Sequence, residues 1–240
     1  MLENYIVVDM EMTGLNPKTD RILEIGAVKI KNHEIVETFS QLVNPHRELE
    51  QLITELTGIT TDMSKEGIED TEAVEEFLEF GEDFPLVGHN IISDYSFLQQ
   101  CLVNQGKSVQ KYGVDTLKLA RRFLPGGYKK NLESLCNYAG IAQTQEHRAF
   151  ADAVSTYRLL EWLLLEYQQE EEEAFLPYPL VYKVKRQGPI TQRQKKNLIQ
   201  LLNYHRIDIG MQIESLTRNE ASRITDTIIF EYGRIPAGGR

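Results

Sequence analysis

Tyr5-Ile6-Val7-Val8 is the segment that most limits what this chain can become. Four consecutive apolar residues, most of them β-branched or aromatic, cannot form a strand with one wet face; they read as a short central strand covered on both sides. A strand of that kind demands helical layers above and below it, so the expectation is a layered α/β domain. The segments that follow agree. Residues 22–30 and 35–43 read as two more strands turning at Lys31-Asn32-His33, an antiparallel pair. In residues 71–80, Ala73, Val74, Phe77 and Leu78 share one face while Glu72, Glu75, Glu76 and Glu79 face water, which predicts an amphipathic helix. A short strand over residues 84–88, a helix over 94–103, strand-like residues near Val114, and helices over about 131–139 and 150–168 complete an alternating pattern. It describes an α/β fold with a mixed five-stranded sheet flanked by helices.

The run Gln168-Gln169-Glu170-Glu171-Glu172-Glu173, followed by Pro177 and Pro179, marks a boundary. Residues 1–168 are expected as one domain, 169–180 as an acidic, proline-containing linker, and 181–240 as a small basic, mainly helical module. Thr191-Gln192-Arg193-Gln194 and Thr217-Arg218-Asn219-Glu220 both fit the capping box and predict helix starts. Ile190 and Leu216 stand where hydrophobic staples would, and Pro236-Ala237-Gly238-Gly239-Arg240 is expected to fray.

Charge follows the same division. The chain carries a net −10, but residues 178–240 hold eleven Lys and Arg against five Asp and Glu. The body is therefore more acidic than the total implies, and the tail is basic. Lys183, Lys185, Arg186, Arg193, Lys195 and Lys196, interleaved with Tyr178, Tyr182 and Tyr204, read either as a grip on nucleic acid or as the solvated face of a docking module. No stretch is long and apolar enough to span a bilayer, and Met1-Leu2-Glu3-Asn4 has no basic leader. Cys101 and Cys136 read as free thiols, so a cytoplasmic protein is expected.

The first strand ends in two acids, Asp9 and Glu11, whose side chains share a side because strand residues alternate. With 36 acids in the chain such spacing arises by chance about five times, so the pair alone is weak. Its place at the end of an apolar strand is what singles it out, because acids there call for something to neutralise them. Thr13-Gly14 then turns the backbone and could present amides to a phosphate or sugar. Asp94, after Gly88-His89-Asn90, also reads as an ordinary acid near a helix start, and so does Asp152, five residues beyond His147.

Together these pieces resemble a family. Asp9-Met10-Glu11-Met12-Thr13-Gly14, then His89-Asn90 with Asp94, then His147 with Asp152, follow the order of the DEDDh exonucleases, the DnaQ-like family of the ribonuclease H-like fold. The intervening Arg21-Ile22-Leu23-Glu24-Ile25-Gly26-Ala27-Val28, Val43-Asn44-Pro45, Leu56-Thr57-Gly58-Ile59 and Asp115-Thr116-Leu117 match as well, and the likeness spans about residues 5–165. It implies a 3′→5′ exonuclease releasing nucleoside 5′-monophosphates with two Mg²⁺ or Mn²⁺ ions. Asp9 would touch both ions, Glu11 and Asp152 the first, and Asp94 the second. His147 would be the general base; Thr13, Gly14, Leu15, His89 and Asn90 would hold the terminal nucleotide. Met12, where many members carry Thr, is closer to oligoribonucleases, and Ser93 stands where Phe often precedes the acid. Leu56-Thr57-Gly58-Ile59-Thr60 and Asn44-Pro45 resemble bacterial replicative proofreading exonucleases of the DNA polymerase III epsilon type, which favours single-stranded DNA and a polymerase or repair partner. An oligoribonuclease-like RNase, or a non-catalytic nucleic-acid or replisome-binding subunit, are the other readings.

Overall fold

In a computed structural model of the chain, residues 2–143 and 147–235 are described, and they form two compact units. The first comprises residues up to 45 and 49–184. Its strands are β1 (Asn4–Met12), β2 (Ile22–Lys31), β3 (Glu34–Leu42), β4 (Leu86–Gly88), β5 (Tyr112–Asp115) and β6 (Tyr178–Pro179), and its helices are α1 (Gln51–Thr57), α2 (Thr61–Lys65), α3 (Asp70–Gly81), α4 (Ile92–Asn104), α5 (Thr116–Phe123), α6 (Leu132–Ala139) and α7 (Ala149–Tyr167). The sheet order is β3-β2-β1-β4-β5-β6; β1, β4 and β5 are parallel and the other pairings antiparallel.

The apolar run of β1 does what its composition demands. Ile6 and Val8 enter one core with α3 and α4, while Tyr5 and Val7 enter the other with α5, α6 and α7. All four are buried. The two-residue turn between β2 and β3 has both Asn32 and His33 at positive φ (50° and 64°), the conformation that keeps the twist of a tight hairpin.

Two expectations are corrected, and three short helices are added. The sheet has six strands, because Gly113 pairs with Tyr178 and Tyr112 with Pro179. Two residues that include a proline leave no periodic trace in the sequence. For the same reason residues 169–180 are no linker: they lie in the first unit, where Phe175 is buried among the residues packed on α7 and stacks on Phe123. Helices α1, α2 and α5 were not anticipated. Each is under nine residues and too short for a convincing period; α2 and α5 are set by local caps, Thr60 Oγ1 accepting the Met63 amide and Asp115 accepting the Leu117 amide.

The second unit comprises His46–Glu48 and residues from 185 onward. Its helices α8 (Gln192–His205) and α9 (Arg218–Tyr232) both start with complete capping boxes at Thr191 and Thr217. Gln194 bonds the Arg218 carbonyl at one end, and His205 bonds the Gly233 carbonyl at the other, so the helices run side by side in the same direction. Leu198, Leu201, Leu202, Leu216 and Ile228 fill the space between. The basic and aromatic residues expected as one cluster divide at this boundary, with Tyr178, Tyr182 and Lys183 in the first unit. Residues 236–240, expected to fray, lie outside the described residues. No described helix is long and apolar enough to cross a membrane.

Candidate active site

The carboxyl ends of the parallel strands β1, β4 and β5 lie side by side, and the acids singled out by spacing meet there. Asp9 and Glu11 share the parity of Tyr5 and Val7, so they point to the face covered by α7. On that helix Asp152 sits in the first turn and is 8% exposed. A ligand atom on each of Glu11, His147 and Asp152 lies within 4.8 Å of the others. Asp94 comes from the other face, in the first turn of α4, and reaches round the strand end: the Met10 amide donates to its Oδ1 at 3.0 Å. Three separate stretches therefore converge.

Why α7 can come so close is a matter of one missing side chain. Gly26 of β2 is directly opposite Asp9, and a Cβ on it would fall 2.1 Å from the Ala149 carbonyl carbon and the Phe150 nitrogen. Only glycine lets the helix start rest on the strand backbone at this height. Two residues further along the pair, Glu24 lies opposite Glu11. Facing carboxylates repel, and the structure answers with Arg148, whose Nε and Nη2 donate to Glu24 at 3.1 and 2.7 Å. The Ala149 amide adds a third bond to Glu24 at 3.0 Å. Glu24 is 1% exposed and fully engaged; it clamps residues 148–149 to the sheet and so locates both His147 and Asp152. It was visible in the sequence only as one letter of a motif match, because nothing in its spacing shows a partner 124 residues away.

The electrostatics record the crowding. Burial, then the charges of Asp94, Glu11, Asp152 and Glu24, push Asp9 well above the ordinary carboxylate range. Glu11 is raised to about 8 by burial first and by Asp152, Glu24 and Asp94 next, with Arg148 opposing. Asp94 is raised to about 7 by burial, against hydrogen bonds from its own amide and that of Met10. A group of acids held near neutrality in this way is ready to exchange protons for a hard cation. Carboxylate oxygens and one imidazole form a donor set of that kind, and the nearby Arg148 is committed to Glu24.

His147 is exposed, has a left-handed backbone (φ 56°), and its amide donates to Asp152 Oδ2 at 3.0 Å. The loop after β1 is fastened from within. The Thr13 hydroxyl accepts the Arg21 amide at 2.9 Å, and the Asp20 carboxylate takes the Asn16 amide and would meet any Cβ on Gly14 at 2.5 Å. That leaves Leu15 standing 93% exposed on a rigid turn. His89 is spoken for. Its Nε2 lies 2.7 Å from the Lys130 carbonyl, which can only accept, so that nitrogen carries the proton and Nδ1 receives the Thr116 hydroxyl at 2.9 Å. Burial lowers its pKa, in keeping with a neutral ring. Expected as a contact for the terminal nucleotide, it has no ring nitrogen left to offer. Asn90 is exposed, with its amide held by Asp115.

Known proteins resemble this chain over the stretch that carries these residues. "DNA polymerase III PolC-type" of Oceanobacillus iheyensis is 40% identical over 172 residues, covering 71% of this chain but only 12% of that protein. The chain thus spans about an eighth of the length of such relatives. Among solved structures, Exonuclease X in complex with 5′ overhanging duplex DNA is 26% identical with a TM-score of 0.55, covering 68% of this chain and 92% of that one. E. coli Exonuclease I in complex with a dT13 oligonucleotide shares the fold at 17% identity and a TM-score of 0.58, covering 70% of this chain and 42% of that one. The RNase_T exonuclease family model matches residues 6–160, the stretch that carries the site, and the chain belongs to that family, the DnaQ-like exonucleases.

Proposed function

We propose that the chain is a 3′→5′ exonuclease of the DEDDh class that shortens nucleic-acid strands by one nucleoside 5′-monophosphate at a time, with single-stranded DNA preferred. The carrying observation is the convergence of Asp9, Glu11, Asp94 and Asp152 from β1, α4 and α7, beside one exposed imidazole. Those four acids would hold two Mg²⁺ or Mn²⁺ ions, Asp9 shared between them, Glu11 and Asp152 on the first and Asp94 on the second. When bound, such ions lower the pKa of a water and stabilise the attacking and leaving oxygens of an in-line displacement.

The chain's own residues supply the rest. His147, reachable from solvent, accepts the proton of the attacking water. The Glu24–Arg148 clamp keeps that imidazole over the acids. Leu15, on its fastened turn, offers an apolar edge against the terminal base, and Asn90 is exposed in the loop after β4. Met12 supports a second reading in which short RNA is the substrate. The relatives are DNA polymerases, which supports work beside a polymerase in replication or repair.

The test is a 5′-fluorescein oligonucleotide incubated with the full chain and Mg²⁺ or Mn²⁺, in matched DNA and RNA versions. Stepwise shortening from the 3′ end is expected, lost in Asp9→Ala and slowed by about 10²–10⁴ in His147→Ala at unchanged melting temperature. Wild-type activity in Asp9→Ala, or cleavage from the labelled end, would overturn the proposal. Faster digestion of the RNA would transfer the assignment to the second reading.

A further inference from the structure

Between Asp115 and Glu133 the chain holds Lys118, Arg121, Arg122, Lys129 and Lys130 and no acid, inside a body that is otherwise strongly acidic. Both ends of this segment are clasped by one side chain: His89 bonds Thr116 at its start and the Lys130 carbonyl at its finish. His89 belongs to the loop between β4 and α4 that leads to Asp94. The clasp therefore ties the basic segment to the site. Asp115, which ends β5, pairs with Gly88 of β4, and β4 pairs with β1 through Val7, so the segment begins about 10 Å, two strand spacings, from the β1 residues just before Asp9.

The cations within the segment divide by role. Arg122 is paired with Glu171, Lys118 bonds the Tyr178 hydroxyl at 2.9 Å, and the Lys130 ammonium caps the Pro125 carbonyl at 2.7 Å. Arg121 and Lys129 are exposed and have no acidic partner among the described residues. Arg121 is close enough to His89 for its charge to be felt there. Between them in sequence, Tyr128 is 56% exposed, with one edge braced against Tyr138 at 5.0 Å between ring centres. An exposed aromatic flanked in sequence by two cations with no acidic partner among the described residues, on a segment whose two ends are tied to the loop leading to Asp94, fits one kind of partner. A phosphate chain is drawn to the cations, and a base has a ring on which to stack.

We infer that the segment from Arg121 to Lys129, held by His89, is the track for the single-stranded nucleic acid upstream of its terminal nucleotide. Arg121 and Lys129 contact phosphates and Tyr128 stacks on a base. The inference rests on the reading that this site takes nucleic-acid ends.

The measurement is fluorescence anisotropy of 5′-labelled single strands of 12 nucleotides, one DNA and one RNA, with the full chain in EDTA across a NaCl series. Arg121→Gln/Lys129→Gln is expected to weaken binding about tenfold and to flatten the slope of log K against log salt by about 1.4, at about 0.7 per phosphate contact. Lys129→Gln alone is expected to flatten it by about 0.7. Tyr128→Ala should weaken binding about fivefold or more and leave the slope unchanged. Lys31→Gln/Lys107→Gln removes as much charge away from the site and should change nothing. A loss seen with only one of the two strands upholds the track and names its sugar. Wild-type affinity and slope in the Arg121/Lys129 variant, or no binding by the wild type, overturns it. A chain that binds in this way in EDTA yet releases no monophosphate with Mg²⁺ refutes the proposed activity and not the track. A chain that digests strands while its binding ignores the substitutions does the reverse.

Discussion

Replacing Glu11 with Gln should make the metal-free protein more stable while crippling it. The carboxyl of Glu11 is lifted from an ordinary value near 4.5 to about 8 by burial and by Asp152, Glu24 and Asp94. Between those two values the folded chain keeps a proton that the unfolded chain has released, so stability falls as pH rises through that window and levels off above it. At roughly 1.4 kcal/mol per tenfold change, the ceiling is on the order of 4–5 kcal/mol. Glu11 is partly open to solvent, which screens its neighbours, and about 2 kcal/mol is the working figure. For a domain of this size that is about 4–8 °C in melting temperature. The assay is differential scanning fluorimetry in EDTA from pH 5 to 9. Glu11→Gln should match the wild type near pH 5 and pull ahead as the pH approaches 8. Added Mn²⁺ should raise the wild type more than the variant, because the variant has lost a ligand. Melting curves that stay parallel across the whole range would show that Glu11 carries no such burden, and the crowding argument would fail.

Three further outcomes follow from single contacts. Gly26→Ala should cost about 3 kcal/mol in urea denaturation and most of the activity, since its methyl has only the rigid start of α7 to push against; an unchanged midpoint would contradict the close approach. Glu24→Ala should cost about 2–3 kcal/mol and slow hydrolysis more than Glu24→Gln, which keeps an acceptor for the Ala149 amide. Equal rates in the two variants would mean that the clamp does not position the site. Leu15→Ala, at a position 93% exposed, should shift stability by less than about 0.5 kcal/mol yet raise KM for a single strand about fivefold; an unaffected KM would remove Leu15 from the substrate pocket.

Much of this is legible in the sequence itself. The apolar run at Tyr5–Val8, the two-faced helix at α3 and the hairpin at Asn32-His33 are local statements, governed by side-chain periodicity and turn chemistry within a few residues, and the structure follows them. The two capping boxes belong to the same class, since a cap needs only its own first turn. The order of the three acidic motifs was sufficient to name the family. What needs a partner from far along the chain was not legible. β6 exists because β5 offers an unpaired edge, and the Glu24–Arg148 clamp exists because Gly26 lets α7 settle on β2. The two contacts of His89, to Thr116 and to the Lys130 carbonyl, likewise have no trace in its local sequence. Local sequence determines which element forms, because its causes are short-ranged; which charges end up within a few ångströms of one another is set only when the sheet and helices pack, and there the burial that raises Glu11 and Asp94 is decided.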